Sequence, residues 1–295
     1  MDIPAHYEDA EKMLRTEKPD FVEVITNVET HARFVKLAAE LQIPVICQKP
    51  MAPSLAEAAE MIRVCKDAGV PFFIHENFRF QTPVMALKSV LDAGTIGTPF
   101  RARLDFNSSF PVFDNQPALR DLEQFILADV GTHILDLGRF FFGEMESVYC
   151  RTHSSRLDIR GEDVATVVLS TRAAGMPVVC NMSYASRIEN ESFPETLAFV
   201  EGNLGSAELA PDYSLRVTTA AGTHVSRVPP ASYPWVDPRY AVVHSSIVDC
   251  NRDMLAALQT GKLPRTHAAD NLRTLQLVFA AYQSAGENRV INIQP

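Results

Sequence analysis

The chain has 295 residues, 46% of them hydrophobic and 21% charged, with a net charge of -9. That length and balance suit two globular domains with a large core, and no basic run supplies the counter-field that a phosphate backbone or an anionic bilayer requires. Nucleic acid and membrane are therefore excluded as expected partners: the opening MDIPAHYEDAEKML is polar and acidic, unlike a signal peptide, and no apolar run reaches the ~18 residues of a membrane span.

In chain order, a helical stretch around 8–16 is followed by a strand over 20–26 and a helix over about 30–41. The run 43–47, IPVIC, has the length and β-branched content of a strand buried in a parallel sheet, and it ends in Gln48, Lys49 and Pro50. Ser54-x-x-Glu57 forms a capping box for a helix that presents Leu55, Ala58, Ala59, Ile62 and Cys65 on one face and stops at Gly69. A third strand, 70–75, leads into ENFRF, so the first hundred residues predict half of a doubly wound sheet. After a helix over 83–91 the pattern changes to closely spaced strand signals, FRARLDF, SVYCRTH, DVATVVLSTR, PVVCNMSY, TLAFVEG and SLRVTT, interrupted by one helical block at 128–142. These predict an antiparallel meander with one face covered by helices. Two helices near 244–260 and 268–285 and a short strand VINI close the chain.

Five cysteines without a C-x-x-C signal neither a disulfide framework nor a cysteine zinc site, and they fit a reducing cytoplasm. The scattered histidines show no metal-ligand spacing, so no metal is expected. A doubly wound nucleotide domain should open on a G-x-G-x-x-G turn. The first glycine is Gly69 and no G-x-G occurs anywhere, so the sequence reads either as a fragment of a longer protein or as a short variant without its cofactor cradle. The fragment reading is preferred, because an exposed central strand edge is a liability.

Two sets of residues carry chemistry. Lys49 stands at the carboxyl end of a parallel strand, where open α/β sheets bind ligands, and can donate to a developing alkoxide; equally, it can be a solvated lysine before a helix. In ILADVGTHILDLGRFFFG, Asp129 and His133 are four apart and share a helix face. An imidazole beside a carboxylate can accept a hydroxyl proton at neutral pH, while the structural alternative makes Asp129 an N-cap and His133 a satisfied core group. Asp136 orients His133 or pairs locally. Arg79 can hold a carboxylate or hydroxyl, and Trp235 and Tyr240 offer rings for stacking on a sugar or for packing.

Taken together, T-N-V-E-T-H (26–31), Q-K-P (48–50), N-F-R-F (77–80), D-V-G-T-H-I-L-D (129–136) and the closing D-N-L-R-T-L-Q-L-V-F-A-A-Y-Q-S-A (270–285) resemble the Gfo/Idh/MocA family of sugar and polyol dehydrogenases. The resemblance implies an α/β plus α+β chain: an incomplete, Rossmann-like parallel-sheet domain (1–97), then a large open antiparallel-sheet domain with helices on one face (98–295). It implies NAD or NADP, with Thr26, Asn27, His31, Gln48, Lys49 and Pro50 along the cofactor and a Lys49–Pro50 bond that is often cis in this family. It makes Lys49, Asp129 and His133 catalytic, with Asp129 and His133 toward the substrate; Arg79 and Trp235 join them as substrate-side candidates from the reading of the residues themselves. Gln48 in place of the usual glutamate and Asn27 in place of proline are departures, and the absent glycine turn leaves NAD against NADP open. The expected function is oxidation of a sugar or polyol by a cytoplasmic homo-oligomer assembled through the antiparallel sheet. The rivals are a sugar-responsive binding protein or corepressor, or a cofactor-free carbohydrate-binding remnant, on the same fold.

Overall fold

The computed structural model describes residues 3, 5–189 and 193–294. It divides the chain into two compact units, Met1–Glu76 with Cys250–Leu275, and Asn77–Asp249 with Gln276–Pro295. Each unit groups segments far apart in sequence.

The first unit holds a parallel sheet of order β1-β2-β3, from β1 (Val22–Val24), β2 (Val45–Gln48) and β3 (Phe72–His75). Val45, Ile46 and Cys47 of the middle strand are buried, as a strand covered on both faces requires. Helices α1 (Ala10–Glu17), α2 (Val28–Glu40) and α3 (Leu55–Asp67) belong to this unit. The Ser54 hydroxyl accepts from the Glu57 N–H at 3.2 Å, so the cap read in the sequence forms. The helix it starts buries Ala58, Met61 and Cys65, with Met61 taking the place expected for Ala59. On the outer edge of β3, the Ile74 N–H donates to the Thr266 carbonyl, while β1 forms the other edge.

The second unit is built on a nine-stranded sheet of order β11-β10-β9-β8-β4-β7-β6-β5-β12. After α4 (Thr82–Asp92) come β4 (Pro99–Asn107), the short α5 (Val112–Asn115) and α6 (Thr132–Phe142). The strands β5 (Met145–His153), β6 (Val164–Thr171), β7 (Pro177–Ser183), β8 (Leu197–Gly202), β9 (Gly205–Ala210), β10 (Ser214–Thr219) and β11 (Gly222–Arg227) follow. The chain closes with α7 (Ala241–Thr260), α8 (Ala268–Glu287) and β12 (Ile291–Asn292). The sheet is mixed rather than purely antiparallel: β4 pairs with β8 antiparallel and with β7 parallel. The reason is topological. The chain leaves β4 through α6, returns as the meander β5-β6-β7, and thereby brings β7 alongside β4 in the same direction. Residues alternate along β6, with Ala165, Val167 and Leu169 buried and Thr166 and Val168 exposed, so one face packs in the core and the other is open. The whole run Thr132–Arg139 of α6 is buried. Among the described residues no helix is long and apolar enough to cross a membrane.

Candidate functional site

Each unit carries one set of the residues singled out by sequence. In the first, the carboxyl ends of the parallel strands converge. Thr26 and Asn27 form the exposed turn after β1, and the Thr30 hydroxyl bonds both the Thr26 hydroxyl and the Asn27 carbonyl, each at 2.8 Å. His31, on the first turn of α2 and almost fully buried, sets its Nε2 3.1 Å from the Thr26 carbonyl and its Nδ1 3.2 Å from the Met51 carbonyl. One imidazole therefore ties the turn after β1 to the segment after β2. That segment runs from Gln48, the last residue of β2, through Lys49 and Pro50, all half-buried, to the buried Met51, and its Lys49–Pro50 peptide is cis. At the end of β3, His75 Nε2 lies 2.9 Å from Asn251 Oδ1. Burial and the neighbouring Cys65 thiol push the Cys47 thiol well up, so Cys47 is a packed small hydrophobe and no nucleophile.

In the second unit, Asp129 lies in a single widened turn, Leu127–Gly131, with π-type hydrogen bonding, directly ahead of α6; His133 is the second residue of that helix. Such turns recur at functional sites because they redirect side chains without ending the helix. Ile126 takes the N-cap position. Asp129 is instead addressed from the sheet, where the Tyr184 hydroxyl, just after β7, donates to its Oδ2 at 3.0 Å. Burial first, then the Asp129 charge, raise the Tyr184 phenol far above its usual range, so Tyr184 remains a proton donor.

His133 is buried, its ring stacked on Phe78 with centroids 3.9 Å apart and planes 3° from parallel. The next residue, Arg79, pairs through two bonds with Asp136, at 2.5 Å from Nε and 2.7 Å from Nη2, with both partners buried. The NFRF segment thus grips α6 twice, once on His133 and once a turn further on. Asp136 pairs across 57 residues of sequence, and the Arg79 guanidinium is engaged by this carboxylate. Tyr240 begins an aromatic row that reaches Asp129 through Phe110, Phe193, Phe106 and Tyr184. Trp235, 65% exposed, stacks on Tyr233 and meets His244 edge-on. Phe78 was within reach of the sequence, since it sits inside NFRF. Tyr184 carried no signal, because its partner is 55 residues away.

A parallel sheet with polar residues at its carboxyl ends, joined in the chain to a large helix-backed sheet bearing a carboxylate and an imidazole one turn apart, fits a two-unit oxidoreductase. Comparison with known proteins agrees. Residues 1–76 match the family described as "Oxidoreductase family, NAD-binding Rossmann fold", and residues 84–208 match the "GFO/IDH/MocA C-terminal domain". The chain is 42% identical over 288 residues to a D-apiose dehydrogenase of Paraburkholderia graminis, covering 98% of this chain and 76% of that protein. It is 39% identical over 291 residues to a D-apiose dehydrogenase of Rhizobium rhizogenes, covering 99% and 84%. Among solved structures, an oxidoreductase from Agrobacterium radiobacter in complex with NAD+, L-tartaric acid and magnesium superposes with a TM-score of 0.96 at 39% identity, covering 98% of this chain and 84% of that one. The chain belongs to the Gfo/Idh/MocA family of NAD-dependent sugar dehydrogenases.

Proposed function

We propose that the full-length protein carries out the NAD-dependent oxidation of a small aldose, of the kind represented by D-apiose, at a carbinol carbon. The reading rests above all on the ordered Asp129–His133 turn, held by Tyr184 and Phe78, in a chain about 40% identical to two D-apiose dehydrogenases. Thr26, Asn27, His31, Gln48, Lys49 and Pro50 fit the nicotinamide side of a dinucleotide: His31 fixes the turn after β1 against the segment after β2, at the strand ends where open α/β sheets take their ligands. When bound, NAD supplies the hydride acceptor. His133 Nε2 or Nδ1 takes the hydroxyl proton of the sugar, and Asp129 orients the imidazole and accepts from a neighbouring sugar hydroxyl. Lys49, after β2, donates to the substrate oxygen as its negative charge develops. Arg79 acts on this chemistry by holding α6, and Trp235 stands as a ring for the sugar face.

The phosphate-binding backbone N–H groups of such enzymes come from a glycine turn, and these 295 residues contain no G-x-G. We therefore hold that this chain by itself binds NAD or NADP with Kd above roughly 1 mM; micromolar binding in a calorimetric titration would place a different phosphate cradle within it. The five buried thiols fit a reducing compartment, the cytoplasm, and the open face of the nine-stranded sheet is where a second copy would pack. The test of the function is sugar-dependent NADH formation by the full-length gene product, with D-apiose compared against other aldoses and polyols.

A further inference from the structure

The widened turn that carries Asp129 presents several backbone N–H groups with no partner inside the helix, as every helix start does. In this unit they are met by one buried carboxylate and one half-buried tyrosine. Glu162, two residues before β6, accepts from the Phe125 N–H at 3.3 Å, from the Leu127 N–H at 3.1 Å and from the Tyr282 hydroxyl at 2.8 Å. Tyr282, on α8, in turn accepts from the Ala128 N–H at 3.1 Å. The Ile126 N–H donates to the Glu162 carbonyl at 3.1 Å. Four consecutive amides, 125 to 128, thus end on two residues.

The sequence makes room for this contact. A Cβ at Gly161 would lie 2.7 Å from the Leu122 carbonyl and 3.0 Å from the Phe125 Cβ, so only glycine lets the strand approach closely enough to bring Glu162 beneath the turn. The next residue continues the pattern, for the Asp163 carbonyl accepts from the Tyr184 N–H at 3.0 Å, and the Tyr184 hydroxyl reaches Asp129. Gly161-Glu162-Asp163 therefore touches the Asp129 turn by two routes, its backbone amides through Glu162 and its carboxylate through Tyr184. A carboxyl group at the positive end of a helix, with a phenol that burial and the facing Glu162 push up, makes a rigid seat in a low-dielectric interior.

We propose that Glu162 and Tyr282 act as one positioning pair that holds the turn and so sets the Asp129–His133 geometry. The proposal rests on the reading of Asp129 and His133 as the groups that act on substrate. In the full-length protein, Tyr282→Phe conserves volume and removes only the hydroxyl bridge, and Glu162→Gln replaces an acceptor oxygen by a donor. Each is expected to lower kcat about tenfold or more while the KM for NAD stays within twofold, because the residues along the cofactor are not touched. The double variant should be little worse than the poorer single one, since both cut one network. If Glu162→Gln fails to fold, Tyr282→Phe alone decides. A kcat within twofold of wild type in folded Tyr282→Phe would overturn the proposal. A second readout needs no turnover: amide hydrogen exchange at Leu127 and Ala128 should quicken at least tenfold in Tyr282→Phe, with β4 amides unchanged. Unchanged exchange there overturns the positioning role, whereas quickened exchange in a protein that oxidises no sugar supports it and rejects only the assigned reaction.

Discussion

Removing the Arg79 guanidinium tests the structure hardest, because the pair it forms is buried on both sides. The side chains of Arg79 and Asp136 are 7% and 1% exposed and share two short hydrogen bonds. Arg79→Met keeps the apolar stem and takes away the charge, leaving the Asp136 carboxylate in the interior with Arg139 Nη1 still 3.9 Å away. Breaking a buried pair from one side typically costs about 3–5 kcal/mol. That is a large share of the roughly 5–15 kcal/mol that holds a domain together. Arg139 softens the loss, so the lower end, about 3 kcal/mol, is expected. Arg79→Met combined with Asp136→Leu leaves no stranded charge and should be clearly less destabilised than the sum of the singles. Urea unfolding followed by a probe of the second unit, with hydrogen exchange of α6 as a control for two-state behaviour, measures both quantities. A cost for Arg79→Met below about 1 kcal/mol, or a double variant equal to the sum of its parts, would refute the claim that this pair anchors α6.

In the full-length protein, Lys49→Ala and His133→Ala should each lower kcat about 100-fold or more without unfolding it, and near-normal turnover in either variant removes that residue from the mechanism. Tyr184 and Tyr282 have phenols raised by burial and by the carboxylates they face. The folded state thus retains protons that the unfolded chain releases near pH 10, so their contribution is full below about pH 10 and is lost as pH rises beyond it. Urea midpoints should fall above that pH, less so in Tyr184→Phe, and a pH-independent midpoint up to pH about 11 would contradict the burial. A charge placed on the open sheet face, Val168→Asp, should shift light scattering from an oligomer to a monomer, and a monomeric wild type at micromolar concentration would exclude this interface.

Local pattern carried much of the fold. IPVIC is legible as a buried strand because three consecutive apolar residues, Val45 to Cys47, face cover on both sides, and Ser54-x-x-Glu57 is legible because its bond closes within four residues. The strands β9 and β11 left no such mark. GSAELA and GTHVSR lack a β-branched run and owe their state to hairpin pairing with β8 and β10. The parallel pairing of β4 with β7 depends on a return of the chain over some seventy residues, which no window reveals. The site shows the same division. Lys49, Asp129 and His133 stand in short motifs, but what holds Asp129 and His133 comes from Phe78, Tyr184, Glu162 and Tyr282, up to 154 residues away in sequence. Gly161, three residues before β6, is the one local hint of a close approach.

The most direct test is an initial-rate assay of the purified full-length gene product with NAD and D-apiose, followed by NADH absorbance, in wild type and His133→Ala side by side. NADH formation that depends on the aldose, saturates with it, and falls about 100-fold in the variant is the predicted result. A protein that binds NAD yet reduces none of it with D-apiose, other aldoses or polyols would contradict the assignment and make the Asp129–His133 turn a binding site without redox chemistry.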